Sequence, residues 1–100
     1  MYRLAAAALL ALPLTAFAAD SYTLDPYHTF PGFTIDHLGI STIYGRFDKT
    51  TGKATLDRAA KTGTLDLAIE ASSVTTGDND KGSRPRARDE HLRSADFFNV

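Results

Sequence analysis

The stretch FPGFTIDHLGISTIYGRF, from Phe30 to Phe47, decides the fold. Side chains of an extended chain alternate between two faces, and here the alternation separates apolar from polar residues on both sides of Gly39. One polar and one apolar face per strand are typical of an antiparallel sheet that covers an interior and meets solvent on its other side. The predicted inner face carries Phe33, Ile35, His37, Ile43, Gly45 and Phe47.

Further strands are predicted on both sides of this pair. Ser21–Leu24 is a short strand that ends at the turn signal Asp25-Pro26. Thr64–Ala71 alternates most clearly, with Leu65, Leu67 and Ile69 on its apolar face. A third strand is predicted around Ala54 and Leu56.

Polar segments separate these strands. They predict a loop at Asp48–Gly52, a turn at Arg58–Gly63 and a polar exit at Ser72–Gly77. Short strands in succession indicate an all-β, antiparallel up-and-down meander, and closing such a meander into a barrel removes its exposed edges.

The C-terminal quarter follows a different pattern. Asp78–Arg88 has no periodicity and predicts an exposed loop. One short helix is predicted near residues 89–95, with Asp89 capping its start and Arg93 four residues further on. Phe97 and Phe98 follow, and the sequence does not decide whether they close a pocket or pack under a rim.

The N-terminus has the pattern of an export signal. Arg3, an apolar core from Leu4 to Leu12 and the small-x-small site Ala16-Phe17-Ala18 predict a signal peptide at residues 1–18 and a single domain at 19–100. The predicted location is the periplasm. The hundred residues contain no cysteine, so neither a disulfide nor a lipidated cysteine is expected.

Charge and histidine spacing argue against several classes of function. Without Arg3 the chain has ten basic and twelve acidic residues, a net charge of −2 that offers no strong attraction to nucleic acid. The basic residues Lys81, Arg84, Arg86, Arg88 and Arg93 are interleaved with Asp78, Asp80, Asp89 and Glu90. No aromatic residue lies among them to stack on bases, which favours a solvated loop. His28, His37 and His91 are too far apart in sequence for a common metal motif, so no metal site is predicted.

Two interpretations of the remaining polar residues stay open. His37 continues an apolar face, so its imidazole either is hydrogen-bonded inside the structure or fixes the head group of a ligand. The set Arg88, Asp89, His91 and Arg93 resembles a catalytic cluster, but Ser94 lies in no nucleophile motif. Helix capping explains the same residues, and the protein is not predicted to be an enzyme.

Five blocks of residues resemble the YceI-like family. They occur in the family's order and are spread over the segment from residue 22 to residue 98. The blocks are Tyr22-Thr23-Leu24-Asp25-Pro26-Tyr27-His28-Thr29, Phe33-x-Ile35-x-His37-Leu38-Gly39-Ile40-Ser41, Gly45-Arg46-Phe47, Ser73-Val74-Thr75-Thr76-Gly77 and Arg88-Asp89-x-His91-Leu92-Arg93-Ser94-x-Asp96-Phe97-Phe98.

The resemblance implies an exported, lipocalin-like β-barrel that holds a polyisoprenoid chain in its interior. An isoprenoid lipid or a quinone-like molecule is the expected ligand, and no other cofactor is predicted. Family members continue with more strands beyond the Phe-Phe-Asn-Val block, so we expect this chain to be the N-terminal part of such a barrel. The residues expected to contact the lipid are Phe33, Ile35, His37, Ile43, Phe47, Leu65, Leu67 and Ile69.

Partner expectations follow from the same resemblance. They are an apolar lipid ligand, no nucleic acid and no integral membrane anchor; the sequence does not fix the oligomeric state, and a homodimer is one option. The alternatives are a stress-response protein with a packed core and no ligand, and a His-dependent enzyme or metal-binding factor.

Overall fold

The computed structural model describes residues 18–100. Six strands, a 3₁₀ helix and an α-helix follow one another, and every strand pairing is antiparallel. This confirms the predicted all-β fold with one short helix. The elements are β1 (Asp20–Thr23), β2 (Gly32–His37), β3 (Ser41–Phe47), β4 (Thr50–Asp57), β5 (Thr62–Ile69), the 3₁₀ helix (Ala71–Ser73), β6 (Val74–Thr75) and α1 (Arg88–Arg93).

The predicted signal peptide lies almost entirely outside the described residues. Only Ala18 of it is described, so that segment stays a prediction. Within residues 18–100, no helix has the length and apolar character needed to cross a bilayer.

The six strands form three long arms. Two three-stranded sheets have the orders β1-β4-β5 and β2-β3-β6. Only Asp48 and Lys49 separate β3 from β4, and only residues 70–73 separate β5 from β6. The N-terminal arm (β1 and β2), the central arm (β3 and β4) and the third arm (β5 and β6) therefore run up, down and up, which is the predicted meander with each arm broken once.

The break between the two sheets is a β-bulge. Phe47 pairs with Val74 and Thr50 with Ile69, so two residues of the central arm face four of the third arm, and the surplus forms the 3₁₀ helix. Its backbone groups remain bonded, because Asp48 N donates to Ser73 O (3.1 Å) and Glu70 N donates to Lys49 O (3.0 Å). We call these residues, 48–49 and 70–73, the bulge.

The bulge corrects two sequence-based boundaries. Asp48–Gly52 was predicted as a loop, but β4 already begins at Thr50, whose residue surface is only 1% exposed. Ser72–Gly77 was predicted as a polar exit, yet Val74 and Thr75 form β6. Both errors have one cause. Polar residues such as Thr50 and Thr75 pair with the neighbouring arm, and local propensity does not encode that pairing.

Cross-strand partners confirm the predicted faces of the central pair. Phe33 lies opposite Gly45, and Ile35 opposite Ile43, so all four share the inner face. A Cβ atom at Gly45 would overlap the Phe33 ring, which explains why the smallest residue stands there.

The inner face is covered unequally. The described core is small, and its buried apolar residues are Val74, Ala87 and Leu92, where α1 meets β6. On β5, by contrast, Leu65 is 64% exposed. Within the described residues the sheet does not close on itself, which is consistent with part of a barrel.

Thr50 provides a test of this packing. Its hydroxyl is buried and has no hydrogen-bond partner among the described residues. An unsatisfied buried hydroxyl costs stability, whereas a methyl group of the same size does not. We expect Thr50→Val to raise the free energy of unfolding by about 1 kcal/mol, measured by urea denaturation.

Thr51 is the matched control, because it is the next residue of the same strand and is exposed. Thr51→Val should change the free energy of unfolding by less than about 0.5 kcal/mol. A loss of stability in Thr50→Val would show that its hydroxyl is bonded in solution.

Candidate functional site

A half-open cavity of about 540 Å³ lies between the inner face of the β2–β3 pair and the segment that contains α1. Its apolar wall consists of side chains from both sides, so the cavity exists only where helix and hairpin face each other. The lining residues are Ile35, His37, Ser41, Ile43, Asp78, Arg84, Arg86, Ala87, Arg88, His91, Leu92 and Phe97.

A buried carboxylate fixes the helix against the sheet. Asp89 is 1% exposed, and its Oδ1 accepts hydrogen bonds from Thr76 N (2.8 Å) and Thr76 Oγ1 (2.5 Å). Its Oδ2 accepts from Thr75 Oγ1 (3.3 Å). Because Thr75 belongs to β6, the carboxylate ties the start of α1 to the end of the third arm.

The predicted capping role of Asp89 is wrong. The residue that begins α1 as N-cap is Ala87, and no side chain caps the helix. The carboxylate points away from its own helix because Thr75 and Thr76 offer three donors that would otherwise be unpaired. The helix itself is confirmed, one residue earlier than predicted.

Three arginines form the rim of the cavity, and acidic residues neutralise most of their charge. Arg84 donates two hydrogen bonds to the Asp78 carboxylate, at 2.6 and 2.7 Å. The bond from Arg84 holds the pKa of Asp78 below its ordinary value. Arg88 lies 3.7 Å from the same carboxylate and donates to Thr76 Oγ1 at 2.7 Å. Asp78–Arg88 is exposed for much of its length, as predicted, but it also forms one wall of the cavity.

A second polar cluster joins the helix to the residues after it. His91 Nε2 lies 2.9 Å from Asp96 Oδ2 and 2.5 Å from Arg86 Nη2, and Arg86 also donates to Asp96 at 3.2 Å. A guanidinium can only donate, so His91 Nε2 accepts from Arg86 when it carries no hydrogen and donates to Asp96 when it carries one. Phe97 packs on His91 in an edge-to-face arrangement, with ring centroids 4.8 Å apart.

The cluster does not have the arrangement of a hydrolytic triad. Ser94 Oγ donates to the backbone carbonyl of His91 at 2.7 Å, so its hydroxyl is not directed at the imidazole. A nucleophile needs an adjacent base, and within residues 18–100 Ser94 lacks that contact. Binding, through an apolar wall and a polar rim, is the chemistry that this geometry supports.

The predicted lipid-contacting residues fall into three groups. Ile35, His37 and Ile43 line the cavity. Phe33 and Phe47 pack on each other, with ring centroids 5.6 Å apart, on the same face further along the arms. Leu65, Leu67 and Ile69 lie on β5 in the other sheet and do not line the cavity. Their part in binding stays a prediction.

His37 is exposed at the mouth of the cavity rather than enclosed by it. Its cross-strand partner is Ser41, which also lines the mouth. This placement agrees with a group that meets a ligand from the solvent side.

Several lining residues escaped the sequence analysis. Ala87 and Leu92 lie in a segment whose alternation is too short to show which side is buried, and only their contact with the sheet decides it. The sequence does not decide whether Phe97 and Phe98 close a pocket or pack under a rim. In the structure Phe97 lines the cavity, whereas Phe98 packs edge-on against Phe47, with ring centroids 5.4 Å apart.

Replacing Asp89 tests the anchor of the helix. Asp89→Ala leaves three donors without their acceptor, and we expect it to lower the free energy of unfolding by about 2–4 kcal/mol in urea denaturation. Glu90→Ala, at the exposed neighbouring position, is the control and should cost less than about 0.5 kcal/mol. Equal effects of the two changes would contradict an anchoring role.

The Asp96 cluster predicts a pH effect. Hydrogen bonds from His91 and then from Arg86 hold the pKa of Asp96 below its ordinary value. A depressed folded-state pKa means that this contact stabilises the fold above the unfolded-state pKa and is lost as the pH falls through the folded-state value. We expect carbon NMR to show the Asp96 carboxyl with a pKa below the ordinary value of an aspartate, and with a pKa closer to that value in His91→Ala.

An Asp96 carboxyl whose pKa is not lowered in the unchanged protein would show that the cluster does not form in solution.

Comparison with known proteins places the chain among relatives of similar sequence. A family model for the YceI-like domain matches residues 22–100. A UPF0312 protein of Pseudomonas aeruginosa (strain LESB58) is 41% identical over 87 residues, which are 85% of this chain and 42% of that protein. A UPF0312 protein of Ectopseudomonas mendocina is 39% identical over 88 residues, again 85% of this chain and 42% of the relative.

A more distant relative covers more of the chain. A UPF0312 protein of Vibrio cholerae serotype O1 is 36% identical over 96 residues, or 94% of this chain and 47% of that protein. The chain thus spans somewhat less than half the length of the curated relatives it matches. The family match over residues 22–100, together with the paired Phe33–His37 and Ser41–Phe47 segments on which the resemblance rests, shows that this chain belongs to the YceI-like domain family.

Proposed function

We propose that this protein is an exported, periplasmic lipid-binding protein whose β-arms hold an isoprenoid-like chain. The observation that carries the proposal is the cavity wall of Ile35, Ile43, Leu92 and Phe97 beneath a polar rim. Membership of the YceI-like family supports it through the resemblance described above. A quinone-like molecule is the alternative ligand of the same chemistry.

The inner face extends beyond the cavity in the direction of β5. Along the paired arms, this face carries first Phe33 and Phe47 and then Ile69 and Leu67. Ala54 lies opposite Leu65 on β5. At a rise of roughly 3.3 Å per residue, the central arm extends about 35 Å from Ile43 to Ala54. A long, thin apolar molecule fits such a strip better than a compact one.

Burial of apolar surface supplies the affinity. Each Å² removed from water contributes about 25 cal/mol, and ordering a flexible chain offsets part of that gain. The exposed side chains of Leu65, Leu67 and Ile69 are apolar surface that a ligand could cover. Arg86 and Arg88 of the rim, together with His91, offer donors to a polar head group.

Extraction of lipid from the purified full-length protein tests the proposal. We expect solvent extraction and mass spectrometry to recover a long-chain isoprenoid lipid, and Ile43→Asn to lower its retention about tenfold, because a half-buried apolar side chain of the cavity wall becomes polar. Thr42→Asn, on the opposite face, is the control and should retain lipid as the unchanged protein does. Repeated recovery of no lipid from the unchanged protein would contradict the proposal.

His37→Ala separates the two interpretations of that residue in the same assay. A head-group contact predicts lower retention with unchanged stability, since the imidazole is exposed. A structural role predicts unchanged retention and a lower free energy of unfolding. Stoichiometric metal in the purified protein would instead support the metal-binding alternative.

A further inference from the structure

The β2–β3 hairpin ends in two aliphatic side chains that project from the fold. Leu38 is 81% exposed and Ile40 is 86% exposed. They belong to a three-residue turn between the paired residues His37 and Ser41. We call residues 38–40 the hairpin tip.

The turn itself does not require these residues. Leu38 has φ = 57°, in the left-handed region that favours glycine or asparagine. Asp36 Oδ2 accepts from Gly39 N at 3.1 Å and Ile40 N donates to His37 O at 3.1 Å, and neither bond involves the side chain of Leu38 or Ile40. A leucine therefore occupies a strained position while its side chain makes little contact with the described fold.

The β4–β5 hairpin provides an internal comparison. Its turn, residues 58–61, is also closed by an aspartate, since Asp57 Oδ1 accepts from Ala60 N at 2.9 Å. Its left-handed residue is Lys61, at φ = 54°. This four-residue turn is thus made of arginine, alanine and lysine, which are ordinary surface residues, whereas the three-residue hairpin tip has large aliphatic ones.

The hairpin tip adjoins the mouth of the cavity. His37 and Ser41, the residues that bracket it, both line the cavity. A surface that receives the tip would therefore lie against the cavity mouth.

We propose that the hairpin tip docks on a lipid bilayer, with Leu38 and Ile40 inserted among the acyl chains, so that the cavity mouth faces the membrane. Two side chains cannot supply the roughly 800 Å² per partner that a stable protein interface buries. Aliphatic side chains need no shaped partner in a bilayer, whose interior is fluid and apolar.

The driving force is apolar rather than electrostatic. Asp78 neutralises part of the charge of Arg84 and Arg88, Asp96 pairs with Arg86, and Asp36 places a negative charge beside the tip. Docking should therefore occur on neutral bilayers and persist at high salt.

Sedimentation with vesicles tests the proposal on the full-length protein. We expect binding to phosphatidylcholine vesicles and to vesicles with equal parts of phosphatidylcholine and phosphatidylglycerol. Leu38→Asn should weaken binding to both about tenfold, and the double change with Ile40→Thr about a hundredfold. Asparagine suits the left-handed backbone, so the thermal midpoint should not fall.

Tyr27→Ser is the matched control, because Tyr27 is also 81% exposed but lies in the turn between β1 and β2. It should leave vesicle binding unchanged. Three results would overturn the proposal: no vesicle binding by the unchanged protein, binding only to anionic vesicles that salt abolishes, or a double variant that changes oligomeric state instead of vesicle binding.

The docking proposal rests on the proposed function in one respect: docking would let lipid pass between the bilayer and the cavity. Solvent extraction of the same samples distinguishes the two failures. Lipid recovered from a protein that ignores vesicles overturns the docking proposal alone, whereas vesicle binding without recovered lipid overturns the proposed function alone.

Discussion

The bulge between the two sheets is the constraint on which the other features depend. Two residues of the central arm face four of the third arm, and the surplus is taken up by the 3₁₀ helix. In the central arm, the residues on the inner face are consequently odd-numbered before the bulge, as at Ile43 and Phe47. After the bulge they are even-numbered, as at Gly52 and Ala54. The third arm changes in the same way, from the odd-numbered Ile69 before the 3₁₀ helix to the even-numbered Val74 after it. A regular strand pairing would place these apolar groups on opposite faces.

The same break creates the attachment point for the helix. Because β6 begins directly after the 3₁₀ helix, Thr75 and Thr76 lie where the carboxylate of Asp89 can accept their hydrogen bonds. The anchored helix then places Leu92 over the sheet, and the residues after it bring Phe97 to the cavity. The cavity is thus a consequence of one irregular pairing and one buried acid.

The packing near the helix and the packing on β5 differ in burial. Val74, Ala87 and Leu92 are buried together and give the described fold its core. Leu65, Leu67 and Ile69 on β5 are exposed in the described residues instead. A protein of the proposed function needs both, because a fully packed interior leaves no room for a ligand.

The sequence by itself determined the strands and their faces. Alternation in Phe33–His37, Ser41–Phe47 and Thr64–Ile69 is a local property, since successive side chains of an extended chain must point in opposite directions. The short helix and the turn at residues 58–61 were also predictable from local residue preferences. Only the tertiary structure decided where β4 begins, that Asp89 is an anchor rather than a cap, and that Ala87, Leu92 and Phe97 share a cavity with Ile35 and Ile43. Those features arise from contacts between residues far apart in the chain, and such contacts depend on how the arms bend at the bulge, which no local pattern specifies.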